Sequence, residues 1–144
     1  MQSRLVHAGL VILILAAAGI GAFVLFGPPP DYRPHVEHTA SATFWRKGAT
    51  CTATAEEVLA IREALLSAEI LGHEEYPGKL VEYLRLTLPD GDATDIAVAY
   101  FGATQGPAAR YYLMGSVLQS TKLDTVMAGL RERAKAAARD DTSR

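Results

Sequence analysis

The hydrophobic pattern begins with an almost unbroken apolar run that starts at Leu5 and ends at Phe26. Within it, only alanine, glycine and one histidine separate the large apolar side chains. A helix of about 22 residues rises roughly 33 Å, which matches the hydrocarbon thickness of a bilayer. We therefore predict a single N-terminal transmembrane helix within residues 1–27, with the lipid bilayer as its first partner.

A cleaved secretory signal is the alternative reading of this run, with Arg4 as its basic start and the alanines at 16–18 as its cleavage site. Cleavage after Ala18 would leave an apolar start on the mature protein, which favours a retained signal-anchor. Basic residues flank the run on both sides, so their count does not fix its orientation. Because a short basic tail commonly stays in the cytoplasm, we expect the rest of the chain to be extracytoplasmic, and periplasmic in a bacterium.

Small residues recur four apart within the predicted span. Ala17 with Gly21, and Ala18 with Ala22, would let a second helix approach closely. These four positions are the candidates for helix–helix contact. Small residues are also frequent in membrane helices in general, so a span without a specific pairing stays open.

Prolines at 28, 29, 30 and 34 follow the apolar run and stop its helix. Residues 28–38 are therefore expected to form a stiff, extended juxtamembrane linker.

From Thr39 the pattern changes to strict alternation, which predicts a first strand that ends near Gly48. Residues 50–54 either continue this strand or form a loop. The Thr54-x-x-Glu57 sequence is a capping box, so a helix should begin there and end near Gly72.

Alternation returns at residues 80–88, 96–101 and 111–114, separated by a turn at 89–92 and a longer loop at 102–109. The last segment either ends at 114 or runs past Gly115 and Ser116 through Leu118. These segments predict three antiparallel strands. Thr121 with Asp124 should open a second helix that continues to residue 139, and residues 140–144 should fray. The element order of residues 39–139 is then strand, helix, three antiparallel strands, helix, which is typical of a small two-layer α+β domain.

Composition narrows the function classes. The 144 residues include 14 basic and 16 acidic side chains, a balance that argues against a nucleic-acid partner. Cys51 is the single cysteine, which excludes an intrachain disulfide and a cysteine zinc cluster.

Candidate chemistry is sparse. His35, Glu37 and His38 are weak candidates for metal ligands, because an extended chain would point the two histidines to opposite faces. His73 beside Glu74 and Glu75 places a base near an acid in a loop, without a nucleophile or an orienting third group. We expect no catalytic residues, no metal and no cofactor.

Aromatic residues offer one further lead. If the helices leave one sheet face open, that face would be a binding surface. If they do not, the same side chains pack the core. The candidates come from the predicted strands and are Trp45, Tyr83, Tyr100 and Tyr111 or its neighbour Tyr112.

These observations favour a single-pass, membrane-anchored, non-enzymatic domain that binds a protein partner or serves as an accessory subunit of a membrane or envelope complex. The alternative is an extracytoplasmic sensor for a small ligand or metal. A small hydrolase that uses His73 is a remote third hypothesis.

Overall fold

The computed structural model of the protein describes residues 30–76, 82–100 and 109–142. The predicted transmembrane helix lies outside these residues, as do its small residues Ala17, Ala18, Gly21 and Ala22. Within the described ranges, no helix combines the length and the apolar character needed to cross a membrane.

Seven strands and three helices make up the described part of the chain, which confirms the α+β class. In chain order the elements are α1 (Arg33–Glu37), β1 (Ser41–Arg46), β2 (Ala49–Thr52), α2 (Ala55–Leu66), β3 (Glu69–His73), β4 (Glu82–Thr87), β5 (Ala93–Tyr100), β6 (Ala109–Leu113), β7 (Ser116–Gln119) and α3 (Thr121–Thr142).

All seven strands join one antiparallel sheet in the order β2-β1-β4-β5-β6-β7-β3. The predicted meander of three strands corresponds to β4, β5 and β6. Strand β3 precedes β4 in the chain, yet it lies beyond β7, so β2 and β3 form the two edges of the sheet.

The hydrophobic core lies between one face of the sheet and the helices. Alternate strand residues face it, and α2 and α3 pack against each other and against β1. The largest fully buried side chains of this core are Phe44, Ile61, Leu65, Leu84, Leu86, Ile96, Tyr111, Leu113, Leu118, Leu123, Met127 and Leu130. This arrangement gives the two layers that the sequence pattern predicts.

Helix α1 corrects the prediction of an extended conformation for residues 28–38. The Val36 amide donates to the carbonyl of Tyr32 at 3.1 Å, and the Tyr32 and Val36 side chains are buried against the core. Pro34 is compatible with the helix because it lies in the first turn, where a missing N–H breaks no helical hydrogen bond. The packed domain therefore already includes Tyr32.

Helix α2 begins as predicted and ends earlier. Thr54 Oγ1 accepts from the Glu57 amide, and the Glu57 carboxylate accepts from the Thr54 amide, which completes the capping box. The helix ends at Leu66, and Gly72 lies in β3 instead of capping the helix. The prediction was wrong here because Ile70 continues the helical spacing of Leu66 by four residues.

Two tight turns explain the additional strands β2 and β7. Lys47 and Gly48 have φ values of 48° and 84°, and Met114 and Gly115 have φ values of 50° and 80°. Positive φ at two successive residues is typical of two-residue hairpin turns. Both turns have glycine only at their second position and lack the usual Asn or Asp, so the sequence pattern signals them weakly.

Helix α3 begins at Thr121, the residue predicted to cap it, so the cap lies one residue earlier than predicted. Ser120 Oγ accepts from the Leu123 amide at 3.2 Å, so Ser120, and not Thr121, occupies the capping position. The helix extends to Thr142, into the segment 140–144 for which fraying was predicted.

Candidate binding surfaces

The first candidate surface is the sheet face opposite the helices. Trp45 of β1 pairs in register with Tyr83 of β4 on this face. Their rings are stacked, with centroids 5.1 Å apart and an interplanar angle of 23°, and both side chains are half-buried. Two neighbouring strands therefore present one flat aromatic surface.

An ion pair extends this surface onto β5. Arg85 donates from Nε and Nη2 to the two carboxylate oxygens of Asp95 at 2.8 and 2.9 Å. The guanidinium carbon also lies 5.7 Å from the centroid of the Tyr83 ring. The carboxylate of Asp95 raises the pKa of Arg85 above its ordinary value. This pairing fixes a planar cation beside the aromatic stack.

Towards β6 and β7 the same face carries a small second core. Tyr112 packs edge-on against Tyr76, with centroids 5.2 Å apart, and lies beside Ala97 and Val117. Burial, followed by the nearby charge of Glu74, raises the pKa of Tyr112 above its ordinary value. Tyr76 thus covers this half of the face, whereas Trp45 and its stacking partner remain partly accessible.

The structure brings together two of the four predicted aromatic residues. Trp45 and Tyr83 stack on the open face, while Tyr111 lies on the helix-covered face with 1% of its surface exposed. Tyr100 ends β5, and its side chain lies outside the described structure. The sequence candidates omit Arg85, although its position between Leu84 and Leu86 places it on the same face as Tyr83.

Two of the three candidate metal ligands, His35 and His38, line the same cleft, and Glu37 does not. His38 Nδ1 lies 2.7 Å from the Pro34 carbonyl oxygen, and Glu37 is exposed. His35 Nε2 is buried without a hydrogen-bond partner. Among the described residues, no group of three or more His, Cys, Asp and Glu side chains is arranged to hold a metal ion.

The other polar candidates lie on, or directly after, the two edge strands of the sheet. His73 is the last residue of β3, and it is exposed together with Glu74 and Glu75. Cys51 lies on the edge strand β2, half-exposed, with its Sγ 3.7 Å from the Thr52 carbonyl oxygen.

The second candidate surface is the edge formed by β3. This strand pairs with β7 on one side, and no described strand pairs with its other side. Ile70 and Leu71 are 42% and 41% exposed on it. A bulge between Ile70 and Gly72 interrupts the register with β7. An edge with two accessible large apolar residues is open to pairing by another strand.

The opposite edge, β2, differs in chemistry. Its outward residues include Thr50 and Thr52, and the Thr52 carbonyl accepts from Arg133 Nη2 at 2.8 Å. Arg133 also pairs with the Glu57 carboxylate at the start of α2. A long cationic side chain thus occupies a backbone acceptor of β2, a common way in which proteins protect a sheet edge.

Helix α2 adds two exposed leucines just before β3 in the chain. Leu59 and Leu66, seven residues apart, are 62% and 37% exposed. With Ile70 and Leu71 they complete the set of large apolar residues that are exposed within the described ranges. All four therefore fall in one stretch of the chain, from α2 into β3.

Comparison with known protein families, with curated proteins and with solved structures finds no match to this chain.

Proposed function

We propose that this chain is a single-pass, membrane-anchored, non-enzymatic domain that binds a protein partner as an accessory subunit of a membrane or envelope complex. The observation that carries the proposal is the β3 edge, with its accessible Ile70 and Leu71. The anchor follows from the apolar run that ends at Phe26.

The chemistry of the β3 edge favours a protein over a small molecule. A strand edge presents a row of backbone N–H and C=O groups at a fixed spacing, and an extended peptide matches that spacing along its whole length. The apolar side chains of Ile70 and Leu71 would supply contact area beside these hydrogen bonds. We therefore expect the partner to contribute a β-strand.

The contrast between the two edges supports β3 as the binding edge. Arg133 occupies the Thr52 carbonyl at β2, and the residues exposed there are threonines. The large apolar residues Ile70 and Leu71 are exposed on β3 instead. An added strand would therefore meet fewer obstacles at β3.

The test is purification of the full-length protein from its native membranes in a mild detergent, with identification of copurifying proteins. Ile70→Lys with Leu71→Lys places two charges on the β3 edge. Thr50→Lys with Thr52→Lys is the matched control on the β2 edge. We expect a stoichiometric partner with the native protein and with the β2 control, and its loss with the β3 variant.

A crosslink gives the second readout. A photoreactive residue at position 71 should join the copurifying protein through an extended segment, whereas the same residue at position 50 should not. A partner retained by the β3 variant, or the absence of any stoichiometric partner, would overturn the proposal.

A further inference from the structure

A cationic cleft lies between the β1–β2 hairpin and the C-terminal half of α3. Its volume is about 340 Å³. Five cationic side chains line it, and none of its lining residues whose side chains the structure describes is acidic. They are Arg46, Lys47, Arg131, Lys135 and Arg139.

The floor of this cationic cleft is apolar. Phe44, Ala49, Ala134 and Ala138 line it, and because Phe44 and Ala134 are buried, its accessible part is Ala49 and Ala138. On α3 the lining residues follow the spacing 131, 134, 135, 138, 139, which is one face of a helix. Because small alanine side chains lie between the cations on this face of α3, a cleft remains between the helix and the β1–β2 hairpin.

A buried carboxylate positions two of the cations. Glu82 is 2% exposed and accepts from Arg131 Nη2 at 2.6 Å and from Arg131 Nε at 3.3 Å. Arg46 Nε lies 3.3 Å from Glu82 Oε2. The carboxylate neutralises one positive charge and holds both guanidinium groups at the cleft. This pre-orientation lowers the side-chain entropy that a ligand would have to remove.

Positive charge remains beyond this pairing. Lys135 Nζ pairs with Glu132 at 2.7 Å on the exposed surface of α3, a contact that solvent weakens. Lys47 is exposed at the β1–β2 hairpin turn, where its backbone has a φ of 48°. Among the contacts of the described side chains, Arg46, Lys47, Arg131 and Lys135 face the two carboxylates of Glu82 and Glu132, so an anion with two negative charges suits the site.

The size and chemistry of the cleft define its ligand. Ligand pockets range from roughly 300 to 1,000 Å³, so this cleft suits a compact molecule. Guanidinium and ammonium groups are the side chains that most often bind phosphate oxygens in proteins. We infer that the cationic cleft binds a phosphate ester whose compact apolar group rests on the accessible alanines of the floor, Ala49 and Ala138. This inference stands independently of the proposed protein partner.

The probe is phenyl phosphate, titrated by calorimetry into the full-length protein held in phosphatidylcholine nanodiscs. Saturable binding with one ligand per chain is expected, weaker at higher salt. Inorganic phosphate should bind more weakly because it leaves the apolar floor empty, and uncharged benzyl alcohol should not bind.

Two cleft variants and one control locate the site. Lys47→Glu with Lys135→Glu should weaken phenyl phosphate binding roughly ten-fold or more, because two attractive charges become repulsive. Ala138→Leu fills the floor without a change of charge and should also weaken binding. Lys122→Glu reverses an exposed cation at the other end of α3 and should leave binding unchanged.

The source of the phosphate is distinguished in phosphatidylglycerol nanodiscs. If phenyl phosphate binding is lost there, the lipid headgroup competes for the cleft, and the natural ligand is a bilayer phosphate. If binding is retained, the natural ligand is a soluble phosphate ester. Both outcomes support the inference. No saturable binding in phosphatidylcholine nanodiscs, or equal weakening by Lys122→Glu, would overturn it. Thermal unfolding of each variant separates lost binding from lost folding.

Discussion

The hydroxyl of Tyr111 donates a 2.5 Å hydrogen bond to Oδ1 of Asp124. It joins strand β6 to the first turn of α3, beneath the helical layer. Tyr111 is 1% exposed, whereas Asp124 is half-buried. This contact therefore ties the start of α3 to the sheet, through a residue that the sequence pattern had offered for an open surface.

Tyr111→Phe should lower the free energy of unfolding by about 1–2 kcal/mol, because it removes a hydrogen bond to a charged group while the ring still fills the core. Urea unfolding of the full-length protein in detergent measures this. Tyr83→Phe is the control, since its ring stays stacked on Trp45, and it should change the value by less than about 0.5 kcal/mol. Equal losses in the two variants would contradict the assigned role of the Tyr111 hydroxyl.

Arg131→Ala should be far more damaging than the loss of an exposed pair. It removes the Arg131 partner from the buried Glu82 carboxylate, and breaking a buried pair destabilises by about 3–5 kcal/mol. Arg85→Ala removes the exposed pair with Asp95, for which about 0–1 kcal/mol is typical. Chemical unfolding of both variants under one condition makes the comparison. A loss below that of Arg85→Ala would mean that Glu82 is not held as described.

Two positions that are close together in sequence can test which face of α2 packs against the core. Ile61 is fully buried, whereas Leu59 is 62% exposed. Ile61→Ala should cost about 2–5 kcal/mol because it opens a cavity, and Leu59→Ala should stay within about 0.5 kcal/mol. Thermal and urea unfolding report both values. A reversed order would show that the helix presents a different face to the core.

Acid should weaken the domain through Glu57. Hydrogen bonds from Arg133, and further ones from Thr54, lower the pKa of Glu57 below its ordinary value of 4.5. The stabilisation is therefore fully present above pH 4.5 and is lost as the pH falls through the lower folded-state pKa. Unfolding measured from pH 7 to pH 3 should show a steeper acid loss for the native protein than for Glu57→Gln. Parallel curves for the two proteins would show that ionised Glu57 does not stabilise the domain.

Cys51 provides a natural probe of membrane orientation. It is the single cysteine of the chain and is half-exposed on β2. If the domain is extracytoplasmic, a membrane-impermeant maleimide should label it in sealed cells after removal of any outer barrier. Cys51→Ser is the unlabelled control. Labelling that requires permeabilisation of the inner membrane would place the domain in the cytoplasm.

Local signals in the sequence predicted the fold best. The Thr54 and Glu57 pair satisfies its own backbone groups within one helical turn, so its reading needs no knowledge of the rest of the chain. By contrast, Ile70 fits a helix and a strand equally well, and its pairing with Leu118 decides between them. Pairing over that distance is not encoded in any local periodicity.

The binding surfaces were predicted in part for a similar reason. Alternation correctly places Trp45 and Tyr83 on one face, because both strands keep an uninterrupted period of two. At Tyr111 and Tyr112, two adjacent aromatic residues do not show which of them faces the core. In the structure, Tyr111 and Leu113 face the helices and Tyr112 faces the opposite side of the sheet. The cationic cleft depends on the crossing of α3 over a hairpin, and only tertiary packing brings Lys47 near Arg139.

The placement of β3 also sets an order of assembly. Glu69 pairs with Gln119, although β4, β5 and β6 lie between them in the chain. Closing so long a loop is entropically unfavourable, so pairings distant in sequence form late. During synthesis β3 emerges early and has no strand to pair with until β7 has followed. The edge that we propose for partner binding is thus completed only after β7 is made, and a partner that recognises it would select chains whose seven strands have all been synthesised.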